Sequence, residues 1–270
     1  MNVSLYKQML KVNAKGIMNY AVGSAFYMLL MIWLYPGIAD HTGALDDLVQ
    51  SMPQGVTNAF NLTTGFQSAE SFISGEYYGL ILVLILSIVC VQMSTRLMAG
   101  MVDRGSMAYL LSAPTTRSRV SGTQALVLVT ALAVIMGVTT LAGFLGNAWF
   151  LSSEYAFDSG RFLQLNLIAF LLFFAVGGLT FLVSCLANDE KKALGIAGLI
   201  AFEFFSLDLL AKISTSLDWL KYATLLTLYR PGEIVGGQAD IIVNAIVLLA
   251  VGLASFGLGI ALFKRRDLPL

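Results

Sequence analysis

The chain has 270 residues, 57% of them hydrophobic and only 12% charged, with a mean hydropathy of +0.80 and no net charge. A soluble domain carries about 25% charged residues, so half that share excludes an ordinary water-facing surface, and the zero balance gives no basic excess for nucleic acid. The two cysteines, Cys90 and Cys185, fall inside apolar runs and read as small hydrophobes, while the single histidine, His41, has no His or Cys partner for a metal.

Residues 1–16 place Lys7, Lys11 and Lys15 on one helical face and Leu5, Met9 and Val12 on another. That pattern predicts a short helix lying in the membrane surface with its lysines toward anionic headgroups. A basic leader that only enforces topology would carry the same residues. The apolar run that follows is long for a signal peptide and ends in Tyr35-Pro36-Gly37, not in a small-residue cleavage site, so it reads as a retained helix. Six such runs emerge, at about 17–35, 79–98, 122–146, 163–187, 193–211 and 241–263. Runs of about 20 residues match roughly 30 Å of hydrocarbon. The expected fold class is an all-α membrane protein of six transmembrane helices in a single transmembrane domain over 1–270.

The segments between the runs differ in kind. The stretch 36–78 sets Leu45, Leu48, Val49 and Met52 at helical spacing before a break at Pro53. Between runs two and three, Gly105 can start a turn, Ser106 can cap a helix, and Met107, Leu110 and Leu111 form one apolar face. Pro114 ends that element. The result is a compact amphipathic helix rimmed by Arg104, Arg117 and Arg119, a knob that a partner protein could grip. An ordinary basic connector fits the same residues. In run five, Glu203 stands among Phe202, Phe204 and Phe205. A carboxylate at mid-bilayer costs about 2.5–3.5 kcal/mol or more, so it should face the bundle interior or water, be protonated, or else sit near the outer surface beside an Asp208–Lys212 pair. Gln92 is the weaker candidate for a translocation path, and Gly177, Gly178, Gly195 and Gly198 should permit close helix packing.

Orientation follows from the cations. With the N-terminus inside, 12 of the 16 Lys and Arg residues fall on the cytoplasmic side, and an even number of spans returns Lys264, Arg265 and Arg266 there too. Trp33, Trp149, Trp219, Tyr35, Tyr77, Tyr78 and Tyr222 then fall at outer ends, where aromatic belts sit. Both termini are expected in the cytoplasm of a multi-pass bacterial cell-membrane protein.

The run Gly105, Ser106, Leu110, Leu111, Ser112, Pro114 and Arg117 resembles the signature loop of the ABC-2 type permeases, in which Gly-Ser/Thr, Leu-Leu-Ser-x-Pro and an Arg follow the second span. The family usually has a Glu two residues after the Gly-Thr; this chain has Ala108. The layout of a basic leader, six spans and a Phe263-Lys264-Arg265-Arg266 ending is similar as well. The resemblance implies the membrane subunit of an exporter with an amphipathic cargo (a peptide, an antibiotic or a lipid-like compound). It also implies two ABC ATPase subunits that bring ATP and Mg, and a second permease copy or paralogue. Arg104, Gly105, Ser106, Met107, Leu110, Leu111, Pro114 and Arg117 would form the coupling helix. No G-x-x-x-x-G-K-[ST] loop occurs, so nucleotide chemistry is expected in a partner and no catalysis in this chain. A membrane enzyme is disfavoured because no Ser–His pair or paired intramembrane carboxylates appear. A secondary transporter working without an ATPase would need more buried ionisable groups than Glu203 alone.

Overall fold

The computed structural model describes residues 2–39, 42–59, 68–153, 155–213 and 215–267; His41 lies outside them. Six helical stretches are long and apolar enough to cross a membrane, and no strand occurs among the described residues. The first, α1 (Val3–Ala39), is followed by two short helices, α2 (Thr42–Gln50) and α3 (Gln54–Ala59), split at Pro53 as the sequence suggests. The second stretch is composite. Helix α4 (Ala69–Ile73) passes into a π-helical segment, Ser74–Ile81, then α5 (Leu82–Leu97) and α6 (Ala99–Asp103). A short α7 (Ser106–Ser112) precedes α8 (Arg117–Phe150), α9 (Ser159–Leu186) and α10 (Glu190–Ile213). Two 3-10 segments, Thr215–Ala223 and Leu225–Leu228, lead to α11 (Pro231–Val235) and α12 (Ile241–Arg265).

No break separates a surface helix from the first span. Val3–Ala39 is one helix of 37 residues, about 55 Å long at 1.5 Å per residue. It runs in the same direction as α8. The Asn2 N–H donates to Thr123 Oγ1 (3.0 Å), Ser24 Oγ meets Thr139 Oγ1 (2.6 Å), and Ile32 lies against Gly146. Between the first two contacts α1 advances about 33 Å and α8 only about 24 Å, so the N-terminal half of α1 slants across α8 before the two fall into step. Lys7, Lys11 and Lys15 are exposed, as the pattern demands. Leu5 is buried, but Val12, assigned to the same apolar face, is exposed.

Helix α9 is the centre, 67% buried over its most apolar window, and α10 is the most peripheral at 11%. Close approach is concentrated where α9 meets α12. A Cβ on Gly178 would stand 3.0 Å from the Gly252 carbonyl, and one on Gly252 would collide with the Phe174 ring at 2.3 Å. Gly195 and Gly198, expected to pack closely too, have nothing within 4 Å. Asp158 caps α9 by accepting from the Arg161 and Gly160 N–H groups, which hold its carboxyl below the ordinary carboxylate range.

The aromatics divide. Trp33, Trp149, Trp219 and Tyr222 are exposed, whereas Tyr35, Tyr77 and Tyr78, expected at headgroup level, are fully buried. For Tyr77 and Tyr78 the hydroxyls explain it, since a buried tyrosine is tolerated once its polar tip is paired. Tyr77 Oη lies 2.5 Å from Ser24 Oγ, and Tyr78 Oη donates to Asn166 Oδ1 at 2.9 Å. The chain after α10 folds back onto this region, and the buried Tyr229 hydroxyl donates to the Tyr78 carbonyl (3.2 Å) in the widened π turn.

Candidate functional site

The end of the bundle that carries both termini also carries the knob. Helix α5 stops at Met98, whose φ and ψ of −121° and −75° are not helical. Ser184 of α9 fills the break: its Oγ accepts from the Ala99 N–H (3.0 Å) and donates to the Ser94 carbonyl (2.8 Å). A side chain inserted into the ladder is a recognised cause of a helix kink. After α6, Gly105 adopts φ +70°, a conformation glycine enters without steric cost, and reverses the chain into α7. Ser106 does not cap α7; it bonds back to the Met101 carbonyl at 3.1 Å. Extended backbone at Ala113 ends the helix before Pro114.

The face read as a partner's grip turns inward. Met107 is fully buried, and Leu110 and Leu111 are half-buried against the apolar core. The side left to solvent is Tyr109, 83% exposed, with Ser112, Ala113 and Pro114. The two flanking arginines are also engaged. Arg104 makes a bidentate pair with Glu190, its Nη2 donating to Oε1 at 2.8 Å and its Nε to Oε2 at 3.1 Å. Arg117 Nη1 donates to the Arg266 carbonyl. Arg119 stays exposed.

A lateral groove of 320 Å³ separates α5 from α10. Its walls are apolar (Val83, Leu84, Ile88, Leu194, Phe202 and Phe205 among them), and it includes Gln92, whose Oε1 accepts from Tyr20 Oη at 3.1 Å. Glu203 is not in it. The groove-lining residues of α10 recur at positions 194, 198, 201, 202 and 205. At 100° per residue Glu203 points about 150° away from that stripe. It is exposed, so it does not face the interior of this bundle. Asp208 and Lys212 pair with each other further along the helix, at 2.7 Å. Gln92 and Glu203 therefore do not share a wall.

Three contributors carried no local signal: Glu190, Arg266 and Ser184. Each acts on a residue about 80 or more positions away, and the sole hint is opposite charge or a hydroxyl within an apolar run.

Membrane-length helices around one apolar core, a short knob between the second and third, and a lateral groove define a multi-pass membrane protein. Over residues 23–268 the chain matches the family described as ABC-2 family transporter protein, and it belongs to that family. It is thus a permease-type membrane component of an ABC transporter. The match begins after the basic turns of α1. No curated protein matches the chain.

Proposed function

We propose that the chain is the membrane half of an ATP-driven exporter in the bacterial cytoplasmic membrane, with both termini in the cytoplasm. Two ATPase subunits bring ATP and Mg, and a second permease copy or paralogue completes the assembly. The observation that carries this reading is Tyr109. It is a large aromatic side chain left almost wholly in solvent at the tip of a helix whose other face is pinned by Met107. Exposed cations at the same end (Arg96, Arg119, Lys191, Lys192, Lys264 and Arg265) fit a cytoplasmic side. A rigid aromatic anchor ringed by polar groups is the composition of a binding hot spot. ATP-driven closure of the ATPases would shift the bundle between access states through their differential grip on this knob.

The α5–α10 groove is the proposed cargo route. Its apolar walls with one polar group, Gln92, suit an amphipathic molecule entering from the membrane or cytoplasm. Glu203 belongs on the seam with the second permease, because an exposed carboxylate against lipid would cost about 2.5–3.5 kcal/mol or more. Export, not import, follows the likeness to small exporters.

Copurification tests the reading. A tagged chain is expected to retain a P-loop ATPase, and Tyr109→Asp to weaken that retention by about 2 kcal/mol or more, roughly thirtyfold in affinity. Transport of an amphipathic dye by vesicles that contain the chain and no ATPase would transfer the protein to the secondary carriers.

A further inference from the structure

The knob is tied down at both of its flanks, and both ties lead to the same place. On its N-terminal side, Arg104 grips Glu190 through both carboxylate oxygens, and the neighbouring Asp103 Oδ2 accepts from the Glu190 N–H at 3.1 Å. On its C-terminal side, Arg117 holds the Arg266 carbonyl. The Arg266 guanidinium in turn donates to the carbonyls of Cys185 (2.8 Å) and Ala187 (3.1 Å) and to Asn188 Oδ1. Those residues form the last turn of α9 and the connection into α10. Chains of side-chain contacts between rigid elements are the physical means by which a displacement is passed on.

What lies beyond that connection is the least buried of the six membrane-length helices. Only Ala193 and Ala197 of α10 are buried, both in its first two turns. Past them α10 meets the groove on one side and carries exposed residues on another, and its far half is half-buried against the returning 3-10 segments, where Thr224 Oγ1 donates to the Phe204 carbonyl (3.0 Å). Helix α9, by contrast, is welded to α5 by Ser184 and by Thr180 Oγ1 donating to the Cys90 carbonyl (3.2 Å), and to α12 by the close approach at Gly178. A push on the knob therefore meets one deeply packed neighbour and one held by far less buried surface.

We propose that the α9–α10 connection, residues 187–190, receives the motion of the knob, and that Arg104–Glu190 and Arg117–Arg266 are the two links that deliver it to α10. The output is the width of the α5–α10 groove. Arg104 and Glu190 are positioning residues: they touch neither cargo nor nucleotide. The inference rests on α7 being the ATPase contact. The bidentate geometry matters more than the strength of the pair, since Arg104 is largely exposed and such pairs add little stability.

The test uses the full chain purified with its ATPase, nitroxide labels at Ile88→Cys and Phe202→Cys across the groove, and Cys90→Ser and Cys185→Ser as background. The label separation is measured by pulsed electron resonance without nucleotide and with ATP plus vanadate. The parent complex is expected to shift by several ångströms. Glu190→Ala loses at least half of that shift while keeping the ATPase bound and hydrolysing ATP, Arg104→Ala loses at least as much, and the charge swap R104E/E190R restores it. Thermal unfolding of each variant reports whether the fold is kept, and Arg104→Lys, which keeps the charge without the fork, falls between. If the parent chain retains no ATPase, the reading of α7 fails and takes this inference with it. If the ATPase is bound and the groove does not move, if either alanine variant moves like the parent, or if the swap restores nothing in a folded complex, the two links do not carry the motion, and α7 keeps its role.

Discussion

Asn166 accepts from Tyr78 Oη and from Thr140 Oγ1 (2.8 Å) and donates to the Phe162 carbonyl (2.8 Å), so both the oxygen and the nitrogen of its amide are engaged. Asn166→Ala would leave the buried Tyr78 hydroxyl without its acceptor and is expected to cost about 1–3 kcal/mol, read as a lowered unfolding midpoint in detergent. Tyr77 and Tyr78 were read from the sequence as interface aromatics because a belt tyrosine and a core tyrosine look alike along the chain. What separates them is a partner on another helix, Ser24 or Asn166, and nothing local announces it. The knob divides the same way at this scale. Met107→Asp buries a charge and is expected to destabilise the chain, whereas Tyr109→Asp should leave the unfolding midpoint unchanged. Equal effects from the two substitutions would mean that Tyr109 is packed.

Among the helices, the sequence carries the spacing of an apolar face but not the direction in which it points. The i, i+3, i+4 pattern of Met107, Leu110 and Leu111 does form an apolar face of α7, but that face meets its own bundle, because a short helix between two spans finds buried surface there first. Residues 1–16 hid their continuity with the first span for a simpler reason: one glycine, Gly16, does not interrupt a helix when the residues on both sides favour it. Small residues were legible as packing sites in general, yet not in particular. Gly252→Val drives new methyl groups into the Phe174 ring and is expected to cost about 1–3 kcal/mol or more in the α9–α12 contact. Gly195→Ala, with open space around it, should change stability by less than about 0.5 kcal/mol. Gly198→Leu, on the groove wall, should fold normally and slow transport by filling the route. Comparing unfolding midpoints with dye export from vesicles separates the three.

At the scale of the whole molecule the six spans were plain, since an apolar run of about 20 residues has no cheaper explanation than a bilayer. The links across the terminal-bearing end were hidden, because Arg104 and Glu190 are 86 residues apart and only the folded bundle brings them together. The orientation proposed from the cation count carries its own check in a Cys90→Ser, Cys185→Ser chain. Cysteines placed at Lys7 and Arg265 should react with an impermeant maleimide only after the cells are opened, and one at Trp219 should react in intact cells. The most direct measurement concerns the tip of the knob. A photo-crosslinking benzoylphenylalanine replaces Tyr109 in living cells, and the adduct is identified by mass spectrometry. A single covalent product with a P-loop ATPase is expected, absent when the same group replaces Trp149 at the opposite end. Adducts with lipid alone, or none, would mean that the knob meets no ATPase, and the account of an ATP-driven permease would fall with it.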